Sequence, residues 1–149
     1  MTPSQRCYDL IKQFEGYSAT AYPDPKTGGK PWTIGYGSTM WSTGKPVLPG
    51  DTITEAKAEV ELKWHVDSKA AAIGPLKVNQ NQYDAIVSFV YNLGIGNWVK
   101  STLRRKVNMN PADSSIRDEF MKWVSPGSSV EKGLRRRRQA EADLYFTAI

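Results

Sequence analysis

The chain has 149 residues, enough for one compact domain or for two small lobes sharing a helix, and no linker divides it further. Its net charge of +5 and pI near 9.3 suit a polyanionic partner, whether nucleic acid, an anionic membrane surface or a bacterial envelope. The single cysteine excludes an intramolecular disulfide, no run approaches the roughly 20 apolar residues of a membrane span, and MTPSQRCYDLIKQFEG holds no apolar signal core, so the expectation is a protein made and retained in a cytoplasm.

Thr2-Pro3-Ser4-Gln5 predicts a helix start, with Thr2 as N-cap, Pro3 at the first helical position and Gln5 closing a capping box. Cys7, Leu10, Ile11 and Phe14 recur at helical spacing, so this helix runs to Glu15, with Gly16 just past its end. Cys7 among those apolar neighbours reads as a buried thiol. Residues 17–22 and 32–37 read as strands, and the breaker-rich loop from Lys26 to Pro31 joins them. No Gly-Lys-Ser/Thr follows the glycines of that loop, which argues against a nucleotide site.

Residues 38–53 are turn-rich, with at most a short third strand near Pro46 to Leu48. Thr54 caps a long helix that reaches about Ile73 and stops at Gly74-Pro75. It carries two partial apolar stripes, Ala56, Val60 and Trp64 on one side and Leu62, Val66 and Ile73 on another, as a helix joining two lobes would. His65, with Glu61 and Lys69 one turn either side, reads as part of a solvated face, and no second His or Cys nearby suggests a metal. From Asn81 to Leu93 the chain is apolar on nearly every side, which predicts a buried central helix ended by Gly94 and Gly96. Further helices are expected over about Trp98 to Val107, after Asn110-Pro111, and from a Ser128 to Glu131 capping box to about Thr147.

The last of these contains four consecutive arginines, residues 135–138. Gly133, Arg137, Ala140, Leu144 and Ala148 share one helical face, so Arg137 is expected to point inward while Arg135 and Arg136 meet water. A buried guanidinium needs a carboxylate. The expectation is that Arg137 or Arg138 pairs with Glu15 or Asp9 on the first helix and holds the acid of the site in place. A basic run on a half-buried terminal helix does not suit a DNA recognition helix.

Residues 14–38 concentrate the chemistry. Glu15 at a helix C-terminus, against an apolar face, is expected to have its pKa raised, which fits a general acid. Asp24, in the turn Pro23-Asp24-Pro25, is expected near solvent and ionised. In the strand that follows, Trp32, Ile34 and Tyr36 share one face, whereas Thr33, Gly35 and Gly37 share a nearly bare one that a ligand could approach closely. Two carboxylates in different environments beside such a floor suggest glycoside hydrolysis.

With Glu15, Asp24 and Thr33 in that order, EGYSATAYPD followed by WTIGYGST resembles the phage endolysin muramidases of the T-even phage lysozyme type. The likeness continues through SFVYNLGIG at 88–96, STL at 101–103 and the late Gly133-Leu134, Arg137-Arg138 and Glu141. The resemblance implies an α+β, lysozyme-like fold: a small β-sheet lobe over 16–55, a larger helical lobe over 1–15 and 75–149, a connecting helix over 54–73, and an active-site cleft between the lobes. It further implies a single catalytic domain, monomeric and without a cofactor or metal, that cleaves the β-1,4 bond between N-acetylmuramic acid and N-acetylglucosamine for host lysis. Such a protein waits in the host cytoplasm, needs a holin-type pore to reach the periplasm and wall, does not insert stably in membranes and does not act on nucleic acid.

In the resembled family the acid is the residue at Glu15, the carboxylate that activates water is at Asp24, and Thr33 holds that water. Inversion implies carboxyl groups about 6.5 to 9.5 Å apart. Thr39, Tyr91, Asn92 and Thr102 correspond to substrate contacts, as Arg117 also could. The chain departs from the pattern in two places: the Asp24–Thr33 spacing is longer than in short members, and Ser38 stands where a histidine is frequent, which is expected to alter stability against pH more than chemistry. A lytic transglycosylase is the nearest rival, although that reaction needs neither Asp24 nor Thr33. A non-catalytic binder of wall or nucleic acid is the alternative from another class.

Overall fold

The computed structural model describes all of residues 1–149. Seven helices and one two-stranded antiparallel sheet follow in the order α1 (Gln5–Glu15), β1 (Ser18–Tyr22), β2 (Thr33–Gly35), α2 (Glu55–Ala71), α3 (Gln80–Leu93), α4 (Ile95–Lys100), α5 (Thr102–Met109), α6 (Ile116–Met121) and α7 (Glu131–Tyr145). The chain divides into two compact units, one of residues 11–68 and the other of 1–10 with 69–149. These divisions fall inside α1 and near the end of α2, where the sequence reading had used the ends of those helices.

In the larger unit the core forms around α3. Every residue from Asn81 to Tyr91 except Gln82 is buried, as expected of a helix apolar on nearly every side. Asn79 caps it through a complete capping box with Gln82. Phe89 lies at the centre, edge-on to Trp98, Phe120 and Trp123 with ring centroids 6.3, 5.9 and 5.6 Å away. The helix expected over 98–107 is instead two, because the Ser101 hydroxyl accepts the Arg104 N–H and starts α5 afresh. Both terminal capping boxes fail. Ser4, not Thr2, meets the start of α1, and its N–H and hydroxyl donate to the buried Asp84 carboxylate. Glu131 reaches back to the Gly127 N–H, and α7 has no side-chain cap.

In the smaller unit, β1 and β2 pair Ser18 with Gly35 and Tyr22 with Thr33, so β1 carries two extra residues across an irregular register. The second strand is shorter than the expected 32–37. It ends at Gly35, where Ile34 and Ser38 exchange backbone hydrogen bonds of 2.8 and 2.9 Å and turn the chain. No third strand forms; single bridges, Thr20 to Thr52 and Met40 to Pro46, take its place.

The helix α2 corrects the two-stripe expectation. Ala58, Leu62 and Val66 are buried, whereas Val60 and Trp64 of the other stripe are 68% and 48% exposed. Its polar side is not all solvated either. Glu61 is buried and accepts the Ser42 N–H and hydroxyl, and His65 meets the Met40 carbonyl at 2.6 Å, with Glu61 3.9 Å away. An acid and an imidazole thus tie the 40–42 segment to α2.

Candidate active site

All three residues expected to carry the chemistry lie in the smaller unit. Glu15 is the last residue of α1, and Gly16, at φ +70°, returns its N–H to the Lys12 carbonyl at 3.0 Å to stop the helix. The Glu15 side chain folds onto the backbone just past β2. A Cβ built on Gly37 would stand 2.6 Å from Glu15 Oε1, so the glycine leaves the space that the carboxyl group fills. Gly37 also has φ +81°.

The bare strand face expected from Thr33, Gly35 and Gly37 is therefore not an empty floor. Gly35, at φ +64°, packs against α2, where an added Cβ would lie 3.2 Å from that of Ala58, and Gly37 is covered by the acid itself. Only the half-buried Thr33 is left on it for a ligand. Tyr22, opposite Thr33 in the sheet, also lies near the acid: burial and then the Glu15 charge push its hydroxyl above the ordinary tyrosine value. The sequence reading missed Tyr22, and its only signal was its place just before Pro23-Asp24-Pro25.

Asp24 follows β1 in a loop that closes on itself. Its N–H donates to the Gly29 carbonyl at 2.9 Å, its carbonyl accepts the Gly28 N–H at 2.8 Å, and its Oδ1 accepts the Lys26 N–H at 2.7 Å. Thr27 completes the loop by donating to the Lys30 carbonyl at 2.8 Å. The additional residues between Asp24 and Thr33 are thus taken up in a turn stapled to Asp24, and they fix this carboxylate.

Behind the site, Lys12 of α1 pairs with Glu59 of α2 and stands 5.5 Å above the Tyr36 ring, whose hydroxyl donates to Glu55 at 3.2 Å. Burial, with the Glu55 contact, raises the Tyr36 hydroxyl pKa. These contacts join α1, α2 and the turn after β2. Thr39, two residues past Gly37, lines an apolar pocket together with Trp32 and Val47.

The remaining expected residues lie in the larger unit. Tyr91 is 8% exposed, and the Lys69 ammonium sits 4.5 Å from its ring centroid, so a cation already covers part of the ring expected to stack on a sugar. Thr102 opens α5 and accepts from Arg105 at 3.0 Å. Arg117 is committed to Asp143 at 2.8 Å. Asn92, half-buried, accepts a hydrogen bond from Arg138.

Of the four arginines, Arg137 and Arg138 are buried and Arg135 and Arg136 exposed. Their carboxylate is Glu141, one turn along α7 and fully buried. It lies 3.1 Å from Arg138 Nε and 3.5 Å from Arg137 Nε, and accepts the Ser88 hydroxyl of α3 at 2.6 Å. The partner expected on α1 is not used: Asp9 there accepts from Gln5 at 2.9 Å, and the arginines turn to their own helix. Burial raises the Glu141 carboxyl pKa and lowers that of the Arg138 guanidinium, and the opposite charges work against both shifts. The result is a Ser88–Glu141–Arg138–Asn92 chain that sets the side chain at the end of α3.

With this geometry in place, comparison assigns the chain. Residues 12–141 match the model of the phage lysozyme family, and the chain belongs to that family. It is 39% identical over 150 residues to the endolysin of Bacillus phage B103, covering 99% of this chain but 55% of that relative's length. An endolysin from Escherichia coli O157:H7 phage FAHEc1 superposes with a TM-score of 0.88 at 34% identity, covering 100% of this chain and 96% of the other. The muramidase domain of SpmX from Asticaccaulis excentricus superposes at 0.82 with 29% identity, covering 97% of each. The fold is thus α+β and lysozyme-like.

Proposed function

We propose that this chain is a peptidoglycan hydrolase of the muramidase type, cleaving the β-1,4 bond between N-acetylmuramic acid and N-acetylglucosamine with inversion. The observation that carries it is the seating of the Glu15 carboxyl group on Gly37 and near Tyr22, the strand partner of Thr33, with Asp24 held by its own loop two residues past Tyr22. Glu15 delivers its proton to the glycosidic oxygen as the bond to the anomeric carbon breaks. Asp24 takes a proton from the water that attacks the opposite face, and Thr33 orients that water. Positive charge builds on the sugar ring in the transition state, where the Asp24 side chain, taking up the water proton as the attack proceeds, offsets it.

Tyr91, Asn92, Thr102 and Thr39 are assigned to glycan binding. In this reading Arg138 positions Asn92, and Glu141 makes that placement possible. The chain works as one catalytic domain and a monomer. It is held in the host cytoplasm until a holin-type pore admits it to the periplasm, where the wall is cut and the host lyses. None of its helices is long and apolar enough to cross a membrane.

The test is mass spectrometry and NMR of the sugars released from purified peptidoglycan, with Glu15→Gln as the control. Hydrated reducing ends that first appear as the α-anomer and vanish in the control are expected. Anhydro ends would make the chain a lytic transglycosylase and strip Asp24 and Thr33 of their roles. No cleavage would leave a non-catalytic wall or nucleic-acid binder.

A further inference from the structure

Tyr22 closes β1 two residues before Asp24, and its partner across the strand pair is Thr33. Residues directly opposite one another in an antiparallel pair project from the same face with Cβ atoms about 5 Å apart, so the phenol stands beside the hydroxyl assigned to the attacking water. The ring is 39% exposed, and burial in the core does not account for its place.

The hydroxyls of comparable tyrosines are committed to the fold. Tyr17, also 40% exposed, donates to the Ile53 carbonyl at 2.8 Å, and Tyr36 donates to Glu55 at 3.2 Å. In the larger unit the buried Tyr145 donates to the Pro111 carbonyl at 2.7 Å. Tyr22 is as exposed as Tyr17, yet its hydroxyl bonds to no group of the protein. The same holds for the Thr33 hydroxyl, and Asp24 uses only Oδ1 in its loop. At this end of the strand pair, then, three polar side chains keep hydrogen-bonding capacity that Tyr17 and Tyr36 have given to the fold.

The state of the phenol says which half of a hydrogen bond it supplies. Burial, and then the Glu15 charge, hold it above the ordinary tyrosine value, so at neutral pH it carries its proton and can donate. Glu15 acts on it as a charge at a distance and does not accept from it. A donor near the acid, on the face that carries Thr33, meets the part of a glycan that is being cut, and that part is rich in acceptors: linkage and ring oxygens, hydroxyls and acetamido carbonyls.

We propose that Tyr22 is a further catalytic residue, whose hydroxyl donates a hydrogen bond to an oxygen of the glycan at the linkage that Glu15 protonates. The proposal rests on the hydrolase reading above and adds a substrate contact which that reading does not contain.

Tyr22→Phe removes the hydroxyl and leaves the ring. It is expected to lower kcat/KM on purified peptidoglycan by about fivefold to tenfold at an unchanged melting temperature, because the hydroxyl holds nothing in the fold. Tyr17→Phe is the matched control and should lose a few degrees of melting temperature while keeping the wild-type kcat/KM. A Tyr22→Phe protein within about twofold of wild type, or one that melts as early as Tyr17→Phe, would overturn the proposal. The pH profile separates contact with the substrate from action through the acid. Tyr22→Phe should give a profile of wild-type shape at lower height, whereas a displaced basic limb would make Tyr22 a positioning residue for Glu15 and overturn the contact. A second readout is independent of cleavage: a soluble tetrasaccharide of alternating N-acetylmuramic acid and N-acetylglucosamine, titrated into Glu15→Gln, should shift the Tyr22 ring resonances. Absence of that shift overturns the proposal even if the wall is cut. The shift in a protein whose wild type cuts no wall would sustain the contact and refute the hydrolase.

Discussion

Replacing Gly37 by alanine tests the contact on which the assignment of the acid depends. The added methyl carbon would stand 2.6 Å from Glu15 Oε1, and reaching the 3.4 Å of an ordinary contact requires the carboxylate to retreat by about 0.8 Å. A flexible glutamate can make that movement, so the stability loss should come mainly from holding a non-glycine residue at φ +81°, about 1 to 2 kcal/mol. Catalysis should suffer more, because a displacement near 1 Å of a reacting group can cost roughly a hundredfold. Gly44→Ala is the matched control: its φ is +91°, and a Cβ there meets nothing within 4 Å. Thermal unfolding and dye release from labelled peptidoglycan, run on both variants, should give similar melting losses of several degrees but a fall in kcat of about 10- to 100-fold for Gly37→Ala alone. If a folded Gly37→Ala protein matched Gly44→Ala within about twofold in kcat/KM, Glu15 would not act from the place where the structure sets it.

Asp24→Asn keeps an oxygen to accept the Lys26 N–H and removes the base, so kcat should fall by about 10² to 10⁴ with little change in melting temperature; a melting loss that accounts for the lost activity would reject the assignment. Arg138→Met strips a fully buried carboxylate of its nearer partner and should cost about 3 to 5 kcal/mol in denaturant unfolding, with Arg138→Met/Glu141→Leu recovering most of it. Burial opposes ionisation of Glu119, but hydrogen bonds from Lys106 and Lys122 outweigh it and hold the carboxyl pKa below its usual value. A depressed carboxylate stabilises the fold above its unfolded pKa, about 4.3, and that gain is lost as pH falls through the folded value. Lys106→Met should therefore lower stability at pH 7, with the gap to wild type closing below about pH 4, as pH-dependent urea melts would show. Phe89→Ala, at the centre of the aromatic cluster, should cost about 3 to 5 kcal/mol by the same melts.

Periodicity alone located α1, α3 and most of α2, because the burial of an apolar stripe is written into spacing at 3.6 residues per turn. The Pro-Asp-Pro turn and the glycine after Glu15 were legible for the same kind of reason: they are local backbone constraints that hold whatever the chain packs against. The order Glu15, Asp24, Thr33 could be read directly, and the proposed chemistry is built on it. Spacing could not say which stripe of α2 faces inward, since Val60 and Trp64 are as apolar as Leu62 and Val66; only the surface presented to the helix decided that. The capping boxes at Thr2 and Ser128 were lost to better partners, Asp84 for Ser4 and the Gly127 N–H for Glu131, one of them 80 residues away. Distance in sequence also hid Ser88 from Glu141 and Gly37 from Glu15. The sequence by itself determined which segments must coil or turn and which side chains are candidates for the proposed chemistry. Tertiary structure decided where each carboxylate rests and what covers it, because contact and desolvation depend on neighbours that local spacing does not encode.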